Sequence, residues 1–245
     1  MTLDPAAVAT SSPSGSARPV VAVDLEGTCT AGETWRSLGR YLASHGRRGA
    51  YRRFLAPRVA ALPLVRLRLI EKQAFKNRWV ADLARLLAGE DEPGLARIAA
   101  WIVDDELWPR RRPEVVAELV AAASGGARLV LASGTYQPVL DAFAARLAGE
   151  IGSDEVAALG TPFEVVDGRA TGRLAAPIGT GPIKGRRVAA FAAGAPVAAA
   201  YGDSGADLGL LELAREPVAV APDKELARIA LARGWRILEA SGEES

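Results

Sequence analysis

Two uninterrupted apolar runs, Val20–Val23 and residues 197–201, each lead directly into an acidic cluster. The first cluster is Asp24-Leu25-Glu26-Gly27-Thr28, and the second is Gly202-Asp203-Ser204-Gly205-Ala206-Asp207. A short run that is apolar throughout reads as a strand covered on both faces, which is the habit of parallel sheets. Loops just past the carboxyl ends of such strands line the crevice where open α/β sheets bind ligands. Between the two clusters, residues 129–132 form another apolar run that ends in Ser133-Gly134, and Lys184 follows in Ile183-Lys184-Gly185. Three Asp, a Glu, a hydroxyl and an ammonium at one edge of a sheet suit a divalent cation beside a phosphoryl group. Mg²⁺ prefers hard oxygen ligands and is the cation this set predicts.

Strands alternating with helices imply a doubly wound parallel sheet, α/β in class. Strand patterns fall at 20–23, 128–132, 197–201, 217–221 and 235–238, with helix patterns at 114–123, 138–147, 184–194, 207–215 and 223–233. A hairpin is expected over 162–174, with Asp167-Gly168 at its turn. The stretch 31–112 reads differently. Trp35, Leu38, Tyr41 and Leu42 recur at helical spacing, a second helix is expected over 64–87, and a third from Leu95 to about Leu107, ended by Pro109. The division predicted is a disordered tail at 1–18, a sheet domain of 19–30 and 113–245, and an all-helical cap of 31–112 inserted after the first strand. The aromatic residues of that insert, four of the five tryptophans among them, are expected to form mostly a small core of its own.

The chain has 245 residues, of which 49% are hydrophobic and 24% charged, enough for a substantial core. The formal net charge is +1, which argues against nucleic acid as a partner. The charge is uneven, however. Residues 35–112 hold 17 Arg and Lys against 8 Asp and Glu, so the remainder is net acidic. An acidic core suits a cation, and a basic insert suits a lid over an anion. The single Cys29 excludes an intramolecular disulfide, and His45, the one histidine, makes a histidine zinc site untenable. No leader or run long enough to span a membrane is visible, so a cytoplasmic location is expected. The segment 54–70 is apolar and basic together and could touch a membrane surface. Pro57 and Pro63 interrupt it, and a pair of cap helices joined by a turn is the preferred reading.

These four segments resemble the motifs of the haloacid dehalogenase superfamily, within its phosphoserine-phosphatase-like branch. That resemblance implies a Rossmann-like core and a phosphatase acting on a small phosphorylated metabolite, with Mg²⁺ as cofactor. It implies that Asp24 attacks phosphorus to form an aspartyl phosphate, and that Glu26 serves as acid and then base. Thr28 helps to orient the phosphoryl group, Ser133 and Gly134 bind its oxygens, and Lys184 balances charge beside Asp24. Asp24, Asp203, Asp207 (directly or through water) and the Glu26 carbonyl would hold the metal. Glu33 lies where that branch contacts a substrate ammonium; a plain acidic residue at a helix start is the competing account. Arg66, Arg68 and Arg78 are the candidates for a substrate carboxylate.

Two departures matter. The first motif usually carries Asp where this chain has Glu26, and the last usually carries Asn where it has Ala206. They leave open a phosphotransferase, a phosphatase of a phospholipid headgroup, or an inert binding protein on the same fold. The sequence leaves the oligomeric state open as well.

Overall fold

The computed structural model describes residues 17–67, 69–152 and 156–239, with the side chains of Arg66 and Lys72 outside that set. The expected tail lies outside the described residues over 1–16, and so does Arg68. The chain starts with β1 (Val20–Val23), and α1 (Thr34–Ser44), α2 (Arg48–Arg66), α3 (Lys72–Leu83) and α4 (Glu92–Ile102) follow before the next strand. Then come α5 (Pro113–Ser124), β2 (Arg128–Tyr136), α6 (Gln137–Ile151), β3 (Val156–Thr161), β4 (Phe163–Val166) and β5 (Arg169–Leu174). The last third holds α7 (Pro182–Ala192), β6 (Val197–Gly202), the short α8 (Leu208–Leu211), β7 (Glu216–Val220), α9 (Lys224–Arg233) and β8 (Arg236–Leu238).

Six strands form one parallel sheet in the order β3-β2-β1-β6-β7-β8, and β4 pairs with β5 as a separate antiparallel hairpin. The doubly wound sheet of the sequence reading is therefore present. β1 is buried along its whole length because it has neighbours on both edges and helices on both faces. Its residues alternate between two buried clusters: Val21 and Val23 pack with Leu129, Leu131 and Tyr201, whereas Val20 and Ala22 pack with Val130, Val188 and Leu210. The chain runs from β1 to β2 and β3 on one side, then returns to β6 on the other. The order reverses between β1 and β6, and at such a switch point the loops diverge and leave a crevice.

Three expectations need correction. Residues 48–66 form one helix with Pro57 and Pro63 inside it, not a helix pair. A proline has a helix-compatible φ, but it forfeits its own N–H bond and its ring crowds the carbonyl four residues earlier. Here the Arg58 guanidinium donates to the Phe54 carbonyl (2.6 Å) and to Asp82 (2.5 Å), tying that turn to α3. The helix expected over 64–87 is divided instead between the end of α2 at Arg66 and the start of α3 at Lys72. Glu71 restarts it, its carboxylate accepting from the N–H groups of Gln73 and Ala74 (2.7 and 2.5 Å). Nor do the aromatics of the helical segment make a separate core. Leu38, Leu42, Leu83, Ile98 and Trp108 share one buried cluster with Val21, Val23 and Leu131 of the sheet, and Trp35 and Trp79 pack against it. The sheet also has one strand beyond those read from the sequence, the edge strand β3.

Candidate active site

Asp24 follows β1 directly and its N–H donates to the Tyr201 carbonyl of β6 (3.0 Å), so the first acidic loop begins across the switch point from the second. The chain then folds back on itself. Gly27 donates to Thr30, Thr30 donates to Leu25, and Gly27 takes φ +92°. A Cβ on Gly27 would stand 2.3 Å from Asp203 Oδ2, so this position needs glycine for its backbone and for the approach of Asp203. Gly27→Ala is expected to cost about 1–2 kcal/mol from the left-handed backbone alone. That corresponds to a loss of about 2–8 °C in thermal midpoint, measurable by calorimetry.

Lys184 lies in the first turn of α7 and is buried. Its Nζ donates to Asp24 Oδ1 (2.6 Å) and to Asp207 Oδ1 (2.5 Å). The other Asp207 oxygen accepts from the N–H groups of Asp203 (3.2 Å) and Ser204 (3.1 Å) and from the Ser204 hydroxyl (3.1 Å). This capping arrangement fixes the second loop. Thr28 sits between the loops, its hydroxyl 3.4 Å from Asp24 Oδ2 and 3.5 Å from Asp203 Oδ1. Oxygens of Asp24, Asp203 and Asp207 lie within 4.8 Å of one another, a set of hard donors that could hold a metal ion.

The electrostatics follow from crowding and burial. Loss of water pushes the Asp24 carboxyl up to about 7, against the pull of Lys184 and with the push of Asp207. Burial likewise raises Asp203 to about 8, reinforced by Asp24 and Asp207. Burial also acts on Asp207, but Lys184 and Ser204 outweigh it and hold its carboxyl below the usual range. For Lys184, burial alone would lower the ammonium's affinity for its proton; Asp207 and Asp24 reverse this and raise it. One ammonium thus faces three carboxylates, and added positive charge is favoured there.

Glu26 points another way. Its Oε1 accepts from the N–H of Thr34 (2.8 Å), the first residue of α1, so this carboxylate caps the helix that enters the helical segment. Burial raises its pKa, while the Thr34 bond and, more weakly, Lys76 oppose the shift. Glu33 precedes α1 without capping it by its side chain, which instead pairs with Arg36 Nε (2.7 Å). Ser133 and Gly134 lie in β2 where its ladder with β3 lapses between Ala132 and Tyr136. Ser133 is buried and its hydroxyl accepts from the Thr135 N–H (3.3 Å).

A cavity of about 1270 Å³ brings these groups together: Asp24, Glu26, Glu33, Ser133, Gly134, Lys184, Asp203 and Asp207 all line it. Thr28 does not, because it stands behind the carboxylates. Arg78 does not either; its exposed side chain lies 3.7 Å from Asp82 and borders a neighbouring depression. Arg36 and Lys76 line the cavity in its place, and the sequence reading did not single them out. It also missed Arg112, buried, whose Nε donates to the Gly27 carbonyl (3.0 Å) and whose N–H donates to the Cys29 carbonyl (2.7 Å). In a run of three arginines nothing marks this one except the Pro113 that follows it and opens α5. Cys29 is fully buried, and burial raises its thiol pKa, which leaves it a small apolar residue of the core.

Residues 21–212 match the family described as haloacid dehalogenase-like hydrolase. A phosphoserine phosphatase from Mycobacterium tuberculosis is 35% identical over 167 residues, which are 66% of this chain and 48% of that protein. The chain spans about half the length of the curated relatives it matches. A solved protein of unknown function from Bordetella pertussis Tohama I superposes with TM-score 0.72 at 25% identity, covering 90% of this chain and 98% of the other. A substrate-bound phosphoserine phosphatase superposes with TM-score 0.59 over 90% of this chain and 92% of its own; at 13% identity the likeness is one of fold.

Proposed function

The chain belongs to the haloacid dehalogenase-like hydrolases, and from that premise we propose that it is a Mg²⁺-dependent phosphatase that hydrolyses a phosphomonoester through an aspartyl phosphate on Asp24. The observation that carries this reading is the buried Asp24–Lys184–Asp207 relay beside Asp203 at the switch point of the sheet. In it, an Asp24 oxygen bonds to phosphorus while the bond to the leaving oxygen breaks. Glu26 supplies the proton that the leaving oxygen takes, and its raised pKa favours the protonated form needed for that step. The Glu26 carboxylate then removes a proton from the water whose oxygen displaces Asp24 from phosphorus, so that inorganic phosphate leaves and Asp24 is regenerated.

Ser133 and Gly134 hold phosphoryl oxygens, Thr28 keeps the Asp24 and Asp203 carboxylates apart and oriented, and Lys184 favours the ionised form of Asp24 against its burial. Asp24, Asp203 and the Glu26 carbonyl would hold Mg²⁺ in this reading. Asp207, with both oxygens already engaged, would act on the ion indirectly, through Lys184 and the second loop. When bound, the ion offsets the charge on the phosphoryl oxygens. Residues 31–112 act as the cap that selects the substrate, a small phosphorylated metabolite.

The test is release of inorganic phosphate from an aryl phosphate, present with Mg²⁺ and abolished by a chelator. Metal binding also has a signature independent of turnover. The pKa values of Asp24 and Asp203 are raised from 3.8 to about 7 and about 8, so the folded chain holds those protons more tightly than the unfolded chain. The stability they contribute is full below the unfolded value and is lost as pH rises through about 7 to 8. Mg²⁺ binds the ionised forms, so its stabilising effect grows across the same window. At about pH 8 and a hundredfold excess over its dissociation constant, the ion is expected to add about 2.7 kcal/mol, or about 5–10 °C in midpoint. At about pH 5 the gain should be less than half of that. A gain that does not change with pH would remove these carboxyls from the metal site.

A further inference from the structure

The cavity is larger and more apolar than an amino-acid phosphate ester needs. Its carboxylate end is polar, but the wall above is built from Leu55, Val59, Leu62 and Val65 of α2, facing Phe75 and Trp79 of α3. Several of these side chains are not covered by other parts of the described chain: Val59 is 49% exposed and Leu62 37%. Apolar surface left open at this density marks a place where something apolar binds. Of the groups expected to read an amino acid, Glu33 lines this cavity. It is paired there with Arg36, and Arg78 lies outside the cavity.

Resting on the phosphatase reading above, we propose that the phosphomonoester taken by this site carries a single alkyl or acyl chain, which lies along the wall formed by α2 and α3. The wall and the carboxylates border one continuous cavity, so the occupant needs a phosphoryl group at one end and an apolar body at the other. Exposed Lys76 lines the same cavity near Glu26 and suits the anionic end of the same molecule. The chemistry is the same for a free amphiphilic phosphate and for a lipid headgroup.

Calorimetric titration with a series of n-alkylphosphonates, from ethyl to decyl, kept below their micelle concentrations and in Mg²⁺, reads the wall directly. Affinity is expected to rise about fourfold for each buried methylene until the chain outruns the wall. An affinity independent of chain length overturns the proposal. Val59→Asp and Leu62→Asp, both at partly exposed positions that tolerate a charge, should flatten the rise. Leu67→Asp, at a residue 70% exposed and outside the cavity lining, should not. A rise that survives both wall variants, with unfolding midpoints showing them folded, also overturns it.

Phosphate release from a long-chain phosphomonoester, offered as monomer and in phosphatidylcholine vesicles, then separates the sources. Faster release from monomer assigns a soluble amphiphile, and faster release from vesicles a lipid headgroup; release from neither, with ethyl phosphate still hydrolysed, counts against the chain. Chain-dependent binding without any phosphate release leaves the wall standing and overturns the phosphatase reading. Release with flat binding does the reverse.

Discussion

Asp24→Asn is expected to lower phosphate release at least a thousandfold, about 4 kcal/mol in barrier, while leaving the fold intact. The amide is a poor nucleophile, and it cannot complete the bond to phosphorus that the first half of the reaction needs. The stability side of the argument is separate. Asp24 is a buried carboxylate whose ionisation is disfavoured by burial and by Asp207, so a neutral side chain of the same shape removes a penalty at and above neutral pH. Lys184 loses one partner but keeps Asp207 at 2.5 Å. The metal-free midpoint of the variant at about pH 8 should therefore equal or exceed that of the parent, and the pH dependence of the Mg²⁺ effect should shrink. Release above about one hundredth of the parent rate would take Asp24 out of the nucleophile's place. A collapse of the midpoint would make the lost activity uninformative, and circular dichroism on the same sample decides that.

The groups of this site were legible because each stands within a few residues of a strand end, and strands buried on both faces announce themselves as continuous apolar runs. Residues 20–23, 129–132 and 197–201 needed no partner to be read. What holds the loops was not legible in the same way. Gly27 is one glycine among 25 until Asp203, distant in sequence, is seen to fill the space where its Cβ would be. Arg112 clamps the Gly27 carbonyl from the start of α5, across 85 residues of chain. Such contacts depend on the tertiary fold and leave no local pattern. Glu26 shows the same limit: its identity was plain, but its bond to the first N–H of α1 couples the first loop to the helical segment and appears only when α1 is placed.

The helical segment was read least well, for physical reasons that differ from helix to helix. Prolines are the strongest breakers of a helical pattern, yet α2 runs through two of them, and beside the first Arg58 ties that turn to Asp82 of α3. The break after α2 carries no glycine, and Glu71 is not a usual cap. The edge strand β3 was lost because Val-Ala-Ala-Leu-Gly-Thr has one β-branched residue at each end and two alanines between. Pairing with β2 makes it a strand, and no local propensity supplies that.

Lys184→Met is expected to destabilise the chain by about 3–5 kcal/mol, because it removes the one ammonium buried among Asp24, Asp207 and Asp203. The substitution keeps the length of the side chain, so little of the effect comes from a void. The sign of its pH dependence identifies the cause. In the parent, Lys184 holds the Asp207 carboxyl below the usual range, so Asp207 adds stability above its unfolded value, lost only as pH falls through its lower folded value. Without Lys184 that depression disappears, and burial with mutual repulsion raises both Asp24 and Asp207. Carboxyls raised in the folded state stabilise below their unfolded values and lose that contribution as pH climbs. The gap between variant and parent should accordingly be small near about pH 4 and widen steadily toward about pH 8. A gap of constant size would point to packing rather than charge. Mg²⁺ offers the complementary check, because a divalent cation at Asp24 and Asp203 replaces part of the missing positive charge: it should raise the midpoint of the Lys184→Met variant by more than it raises the parent at the same pH. Turnover should nevertheless stay lost in Mg²⁺, since the ion restores charge but not the donor that orients Asp24 toward phosphorus.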